Sequence, residues 1–130
     1  MLIHAEELHV VYQRGAQPAV DGVTLTLGPG DGLLLTGEHG AGKSTVLRAL
    51  AGLVRFGGAA SVCGHFPGTP QATARIGYAP QGRGFANDHT PRHLVGVVAT
   101  LRTRTRDAEA VDRALRSAGI DERSARTVTT

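Results

Sequence analysis

A chain of 130 residues has room for one core and not comfortably for two, and 14 Lys and Arg against 11 Asp and Glu give a formal charge of +3 that permits an anionic partner without demanding one. The apolar fraction of 41% is that of a globular chain; no stretch approaches the ~20 apolar residues of a membrane span, and the N-terminus lacks the basic start and long apolar run of a signal peptide. Cys63 stands alone, which excludes an internal disulfide and makes a reducing compartment the default.

Residues 2–12 have the β-branched and aromatic content of a strand, with the alternation blurred by Glu6 and Glu7. After a turn around residues 15–18, Val23, Leu25 and Leu27 alternate with Thr24 and Thr26, the pattern of a half-exposed strand. Gly28-Pro29-Gly30-Asp31 reads as a tight turn. Leu33, Leu34 and Leu35 then form an uninterrupted apolar run, as expected of a strand covered on both faces of a parallel sheet. An antiparallel β-layer feeding a parallel core is the architecture this order implies.

Next comes the stretch with the most chemistry in it. From Gly37 the spacing is glycine, four residues, then Gly42, Lys43 and Ser44, the full Walker A pattern. A loop that wraps a phosphate chain must turn its backbone N–H groups inward, and Gly37, Gly40 and Gly42 supply the freedom and close approach that a Cβ would block. Lys43 reaches the β- and γ-phosphates as a point charge, Ser44 offers a hydroxyl to Mg²⁺, and a helix beginning near Lys43 points its positive end at the anion. Val46, Leu47 and Leu50 share a face of that helix, Arg48 lies on the other, and Gly52 is placed to end it. Lys43 is the only lysine in the chain, every other basic residue being arginine, so the one lysine stands where the pattern calls for it.

Beyond Gly52, a Gly57-Gly58 turn precedes a short strand over residues 60–63, and Pro67 and Pro70 mark a loop. Residues 72–75 fit one helical turn, residues 76–79 a strand stopped by Pro80, and residues 82–89 a loop. Thr90-Pro91 is a cap and first-turn pair for a helix carrying Leu94, Val98 and Leu101, weakened by Gly96. The clearest helix covers residues 107–118, where Val111, Ala114, Leu115 and Ala118 form a stripe, Glu109 and Asp112 stand four before Arg113 and Arg116, and Gly119 sits at the end. His89 and His93 lack the carboxylate or cysteine that would complete a metal site, Arg102, Arg104 and Arg106 read as a solvated helix end or a surface facing lipid headgroups, Cys63 as inert packing and Tyr78 as a core aromatic.

In this order the features resemble the ATP-binding subunit of an ABC transporter, over nearly the whole chain from Leu2. Tyr12, ahead of Ala19-Val20-Asp21-Gly22-Val23-Thr24-Leu25, matches the family's A-loop aromatic, whose ring stacks on adenine. Gly37, Glu38, His39, Gly40, Ala41, Gly42, Lys43, Ser44 and Thr45 match Walker A, with His39 where asparagine is usual. Gly77-Tyr78-Ala79-Pro80-Gln81 matches the strand ending in the Q-loop glutamine, so the resemblance gives Gln81 a place on Mg²⁺ or its waters and, with Lys43, a part in catalysis. It further implies an α/β P-loop NTPase core with an N-terminal antiparallel β-layer, in one partial nucleotide-binding domain: residues 1–82 the β-layer and P-loop core, residues 83–130 the start of a helical subdomain.

The resemblance also implies ATP and Mg²⁺ as cofactors, a transmembrane permease and a second ATP-binding subunit as partners, no direct contact with nucleic acid, and a cytoplasmic place on the inner face of the membrane. A soluble ABC-type ATPase acting on nucleic acid or ribosomes, and a non-catalytic nucleotide-binding remnant, are the alternatives. The family's signature sequence, Walker B carboxylates and switch histidine find no match up to Thr130, so the expectation is a fragment that binds nucleotide and has no turnover by itself.

Overall fold

The computed structural model describes residues 1–82 and 89–120 of the chain. These fall into two compact units, within Met1–Ala79 and within Pro80–Thr130.

The first unit is built on a three-stranded antiparallel sheet in the order β2-β1-β3, with β1 (Ile3–Val10) between β2 (Val20–Leu27) and β3 (Gly57–Val62). Ala5, Leu8 and Val10 of β1 are buried on one face. Ala5 and Leu8 are three apart, an odd step that a regular strand forbids to one face. A bulge resolves it: the register shifts on both sides of β1 between Ala5 and His9, and Glu7 takes a left-handed φ of 49°. Glu6 and Glu7, which blur the alternation in the sequence, are therefore the two exposed residues of the bulge.

Opposite the bulge lies Gly58, with φ 87°; a Cβ there would stand 2.1 Å from the Glu7 carbonyl oxygen. Gly57 and Gly58 thus belong to β3 and not to a turn, the second being glycine because the bulged backbone of β1 presses against it. The turn at residues 28–31 forms as expected, with Gly30 at φ 83°, Asp31 N–H donating to the Gly28 carbonyl at 3.3 Å and the Asp31 carboxylate accepting from Gly28 N–H at 2.7 Å.

Helix α1 (Lys43–Leu50) packs Val46, Ala49 and Leu50 onto Ala5, Leu8, Val10 and Val20, and this cluster is the core of the unit. Leu47 is half exposed instead of sharing that face, because the buried stripe runs 46, 49, 50. Gly52 ends the helix in a Schellman arrangement: its N–H donates to the Ala49 carbonyl at 2.9 Å and that of Leu53 to the Arg48 carbonyl at 2.8 Å. Thr69 caps the short α2 (Pro70–Thr73).

Residues 33–35 and 76–79 differ from expectation. Neither segment is paired into a sheet, and the described residues contain no parallel ladder. Leu34 is 82% exposed and only Leu35 turns toward the core cluster. The physical reason is that a parallel strand needs another strand alongside to bond its backbone, and among the described residues β1, β2 and β3 pair only with one another, antiparallel, with no strand beside residues 33–35.

In the second unit α3 (Pro91–Thr103) and α4 (Ala108–Ser117) pack together. Thr90 Oγ1 accepts from His93 N–H at 3.2 Å at the start of α3, and Asp107 Oδ1 from Ala110 N–H at 2.9 Å at the start of α4. Val111 and Leu115 are buried, whereas nothing on α3 is fully buried and Leu101 is 77% exposed. Glu109 pairs with Arg113 at 3.1 Å, and Asp112 accepts from Arg92 of α3, joining the two helices. His89 and His93 stack with ring centroids 4.7 Å apart, and no group of three or more metal-ligating side chains occurs among the described residues. None of the described helices is long and apolar enough to cross a membrane. The loop expected over residues 82–89 lies partly outside the described residues.

Candidate functional site

The loop over residues 37–42 leads from the unpaired apolar segment into α1. Its last residue, Gly42, is the helix N-cap in a left-handed conformation, φ 89° and ψ 3°, and no side chain caps the helix start. A Cβ at Gly42 would lie 2.2 Å from the Ala19 carbonyl oxygen, so the loop rests directly on the chain entering β2. Glycine is required there twice, for the left-handed backbone and for the close approach. Gly40 has a similar φ of 86° and open space around it.

Lys43 folds back over the loop. Its Nζ donates to the Gly37 carbonyl at 2.7 Å and to the Glu38 carbonyl at 2.6 Å, while Ala41 N–H bonds the Glu38 carbonyl at 3.2 Å. Glu38, His39, Gly40 and Ala41 form the exposed rim; Ser44 is half buried and Thr45, at 8% exposure, is the buried polar residue of α1. An ammonium, a first helical turn without a side-chain cap and a loop that tolerates no Cβ at its hinge converge on one place, the donor set that a chain of phosphates takes. The residues present fit a nucleoside triphosphate, and the Ser44 hydroxyl beside them fits a metal ion held by those phosphates.

Tyr12 stands 56% exposed beyond the end of β1, its hydroxyl 3.2 Å from Thr45 Oγ1. That hydrogen bond lowers the Tyr12 phenol below its usual range, burial opposing it and the Arg48 guanidinium assisting. Arg48, one turn beyond Thr45, has its own pKa raised by hydrogen bonding first to Tyr78 and then to Tyr12. Tyr78 is accordingly half buried with its hydroxyl beside a cation, not a core aromatic. Arg48, read from the sequence as a residue of the solvent face, is exposed yet links two phenols. Nothing in local spacing signals a meeting of residues 12, 48 and 78. Gln81 is exposed and belongs to the second unit.

Comparison with known proteins converges on one family. Residues 20–130 match the family described as ABC transporter. The cytochrome c biogenesis ATP-binding export protein CcmA of Gluconobacter oxydans is 50% identical over 42% of this chain and 25% of its own length. The hemin import ATP-binding protein HmuV of Bordetella avium is 35% identical over 97% of this chain and 50% of its own. A solved structure of an ATP-binding subunit of an ABC transporter superposes with a TM-score of 0.69 at 26% identity, over 85% of this chain and 45% of that one. The fold is thus that of a P-loop ATP-binding subunit, and the chain spans half or less of the length of each of these proteins.

Proposed function

Because the chain belongs to the ABC transporter family, we propose that its first unit binds Mg-ATP and that the complete protein hydrolyses ATP to drive a substrate across a membrane. One relative is named for export and another for import; what they share is the ATP-binding role, and the proposal takes only that. The observation that carries it is the convergence of the Lys43 ammonium and the uncapped start of α1 on a loop whose hinge, Gly42, admits no side chain.

The roles follow from position. Gly37, Glu38, His39, Gly40, Ala41 and Gly42 offer backbone N–H groups to the phosphates, and Lys43 neutralises the β- and γ-phosphates. Ser44 holds Mg²⁺, the family resemblance assigns Gln81 to the same ion or its waters, Thr45 lies at the phosphates, and Tyr12 carries the adenine. Bound Mg²⁺ would neutralise charge on the transferring phosphoryl group. Residues 1–82 are the β-layer and P-loop core and residues 83–130 the start of a helical subdomain; a permease and a second ATP-binding subunit complete the assembly at the inner membrane face.

The test is calorimetric. Lys43→Ala should abolish measurable Mg-ATP binding, since the phosphates would keep only backbone donors. Equal affinity in the variant and the parent would overturn the assignment.

A further inference from the structure

Sequence reading places Tyr12 at the base and Thr45 at the phosphates as two separate functions, yet the structure joins them. The Tyr12 hydroxyl lies 3.2 Å from Thr45 Oγ1, a bond between residues 33 apart in the chain. Thr45 is nearly buried on α1, two residues after the lysine of the loop, whereas the Tyr12 ring is more than half exposed. One end of the ring is therefore held on a rigid helix and its faces are left open.

We propose that Thr45 is a positioning residue for the base: its hydroxyl moors the Tyr12 phenol to α1, fixing how far the aromatic platform stands from the phosphate loop. This rests on the reading of the site as one for adenine nucleotides. Helix α1 then sets both ends of the ligand at once, the phosphates through its N-terminal turn and the base through a side-chain tie one turn in. Arg48, three residues on along the same side of α1, interacts with the same phenol. A phenylalanine at position 12 would keep the stacking ring and lose the mooring, which separates ring position from ring identity. The cost of a free ring is entropic and falls on nucleotide binding, because an unmoored side chain must be ordered again each time a base arrives.

The experiment measures binding of Mg-ATP and of inorganic triphosphate to the chain and to its variants, the ratio of the two affinities isolating the base. Tyr12→Phe and Thr45→Val should each reduce that ratio about two- to tenfold, the worth of one hydrogen bond, and the double variant should lose no more than either alone. Thr45→Ser, which keeps the hydroxyl, should restore the ratio. Losses that multiply in the double variant, or an unchanged ratio in Tyr12→Phe, would overturn the inference; the latter variant leaves the core untouched, so folding does not obscure the answer.

A second readout is independent of nucleotide. In a Tyr78→Phe background Tyr12 is the only phenol, the chain having two tyrosines and no tryptophan. Its ultraviolet titration should move to higher pH on adding Thr45→Val. No movement would refute the contact itself. Movement together with an unchanged ratio in Tyr12→Ala would instead refute the adenine reading and, with it, the role of the mooring in binding.

Discussion

Gly42→Ala tests the architecture of the loop most directly, because the same region contains its own control. The new Cβ would fall 2.2 Å from the Ala19 carbonyl oxygen, against the ~3.3 Å at which carbon and oxygen ordinarily meet, so loop and strand entry must part by about 1 Å. Overpacking of that kind costs about 1–3 kcal/mol, and the left-handed φ of 89° adds about 1–2 kcal/mol for any residue with a Cβ. Gly40→Ala carries only the second cost, since its φ of 86° is similar and nothing lies within 4 Å of the added methyl. Urea unfolding followed by tyrosine fluorescence reports the first unit alone, both tyrosines being within Met1–Ala79. Gly42→Ala should unfold at clearly lower urea than Gly40→Ala and lose Mg-ATP binding, because a 1 Å shift of the hinge misaims the first turn of α1. If the two variants unfold together and bind alike, the packing of Gly42 on Ala19 does not determine the loop.

Leu8→Ala empties a site with no exposure between the sheet and α1 and should cost about 2–5 kcal/mol in the same urea assay. Asp107→Ala removes the side-chain cap of α4 and should destabilise that helix by about 1 kcal/mol, read as an earlier loss of helical circular dichroism on heating. As an assay of the purified chain, phosphate release under saturating Mg-ATP should not exceed that of a Lys43→Ala control, and clear Lys43-dependent turnover would show a catalytic base among these residues that the reading lacks.

What was legible in the sequence was local. The cap at Asp107, the Thr90-Pro91 start, the Gly28 to Asp31 turn and the loop from Gly37 each announce themselves within a few residues, because caps, turns and phosphate loops are made by neighbours in the chain. Long-range geometry was not legible. Gly57-Gly58 resembles a turn until the bulge at Glu7 is placed against it, and the bond from Arg92 of α3 to Asp112 of α4 has no signal in the spacing of either helix. The run at residues 33–35 has a strand's composition, but composition states only that a ladder would be welcome and cannot provide its partners. At the site, Lys43 and the glycines follow from spacing, whereas the link from Tyr12 to Thr45 and the place of Arg48 between two phenols depend on the path of β1 past α1.

The two carbonyls that hold Lys43 give the loop a threshold. With its ammonium already engaged at 2.7 Å and 2.6 Å, the loop meets an incoming anion as an exchange reaction, one set of oxygens replacing another around the same nitrogen. A weakly charged visitor offers the ammonium little more than the peptide oxygens it would leave, and should bind weakly there. A polyphosphate brings several oxygens and more charge, enough to draw the ammonium across. On the proposed reading, the loop should therefore prefer the more highly charged ligand before any base or metal takes part, by what the lysine must give up.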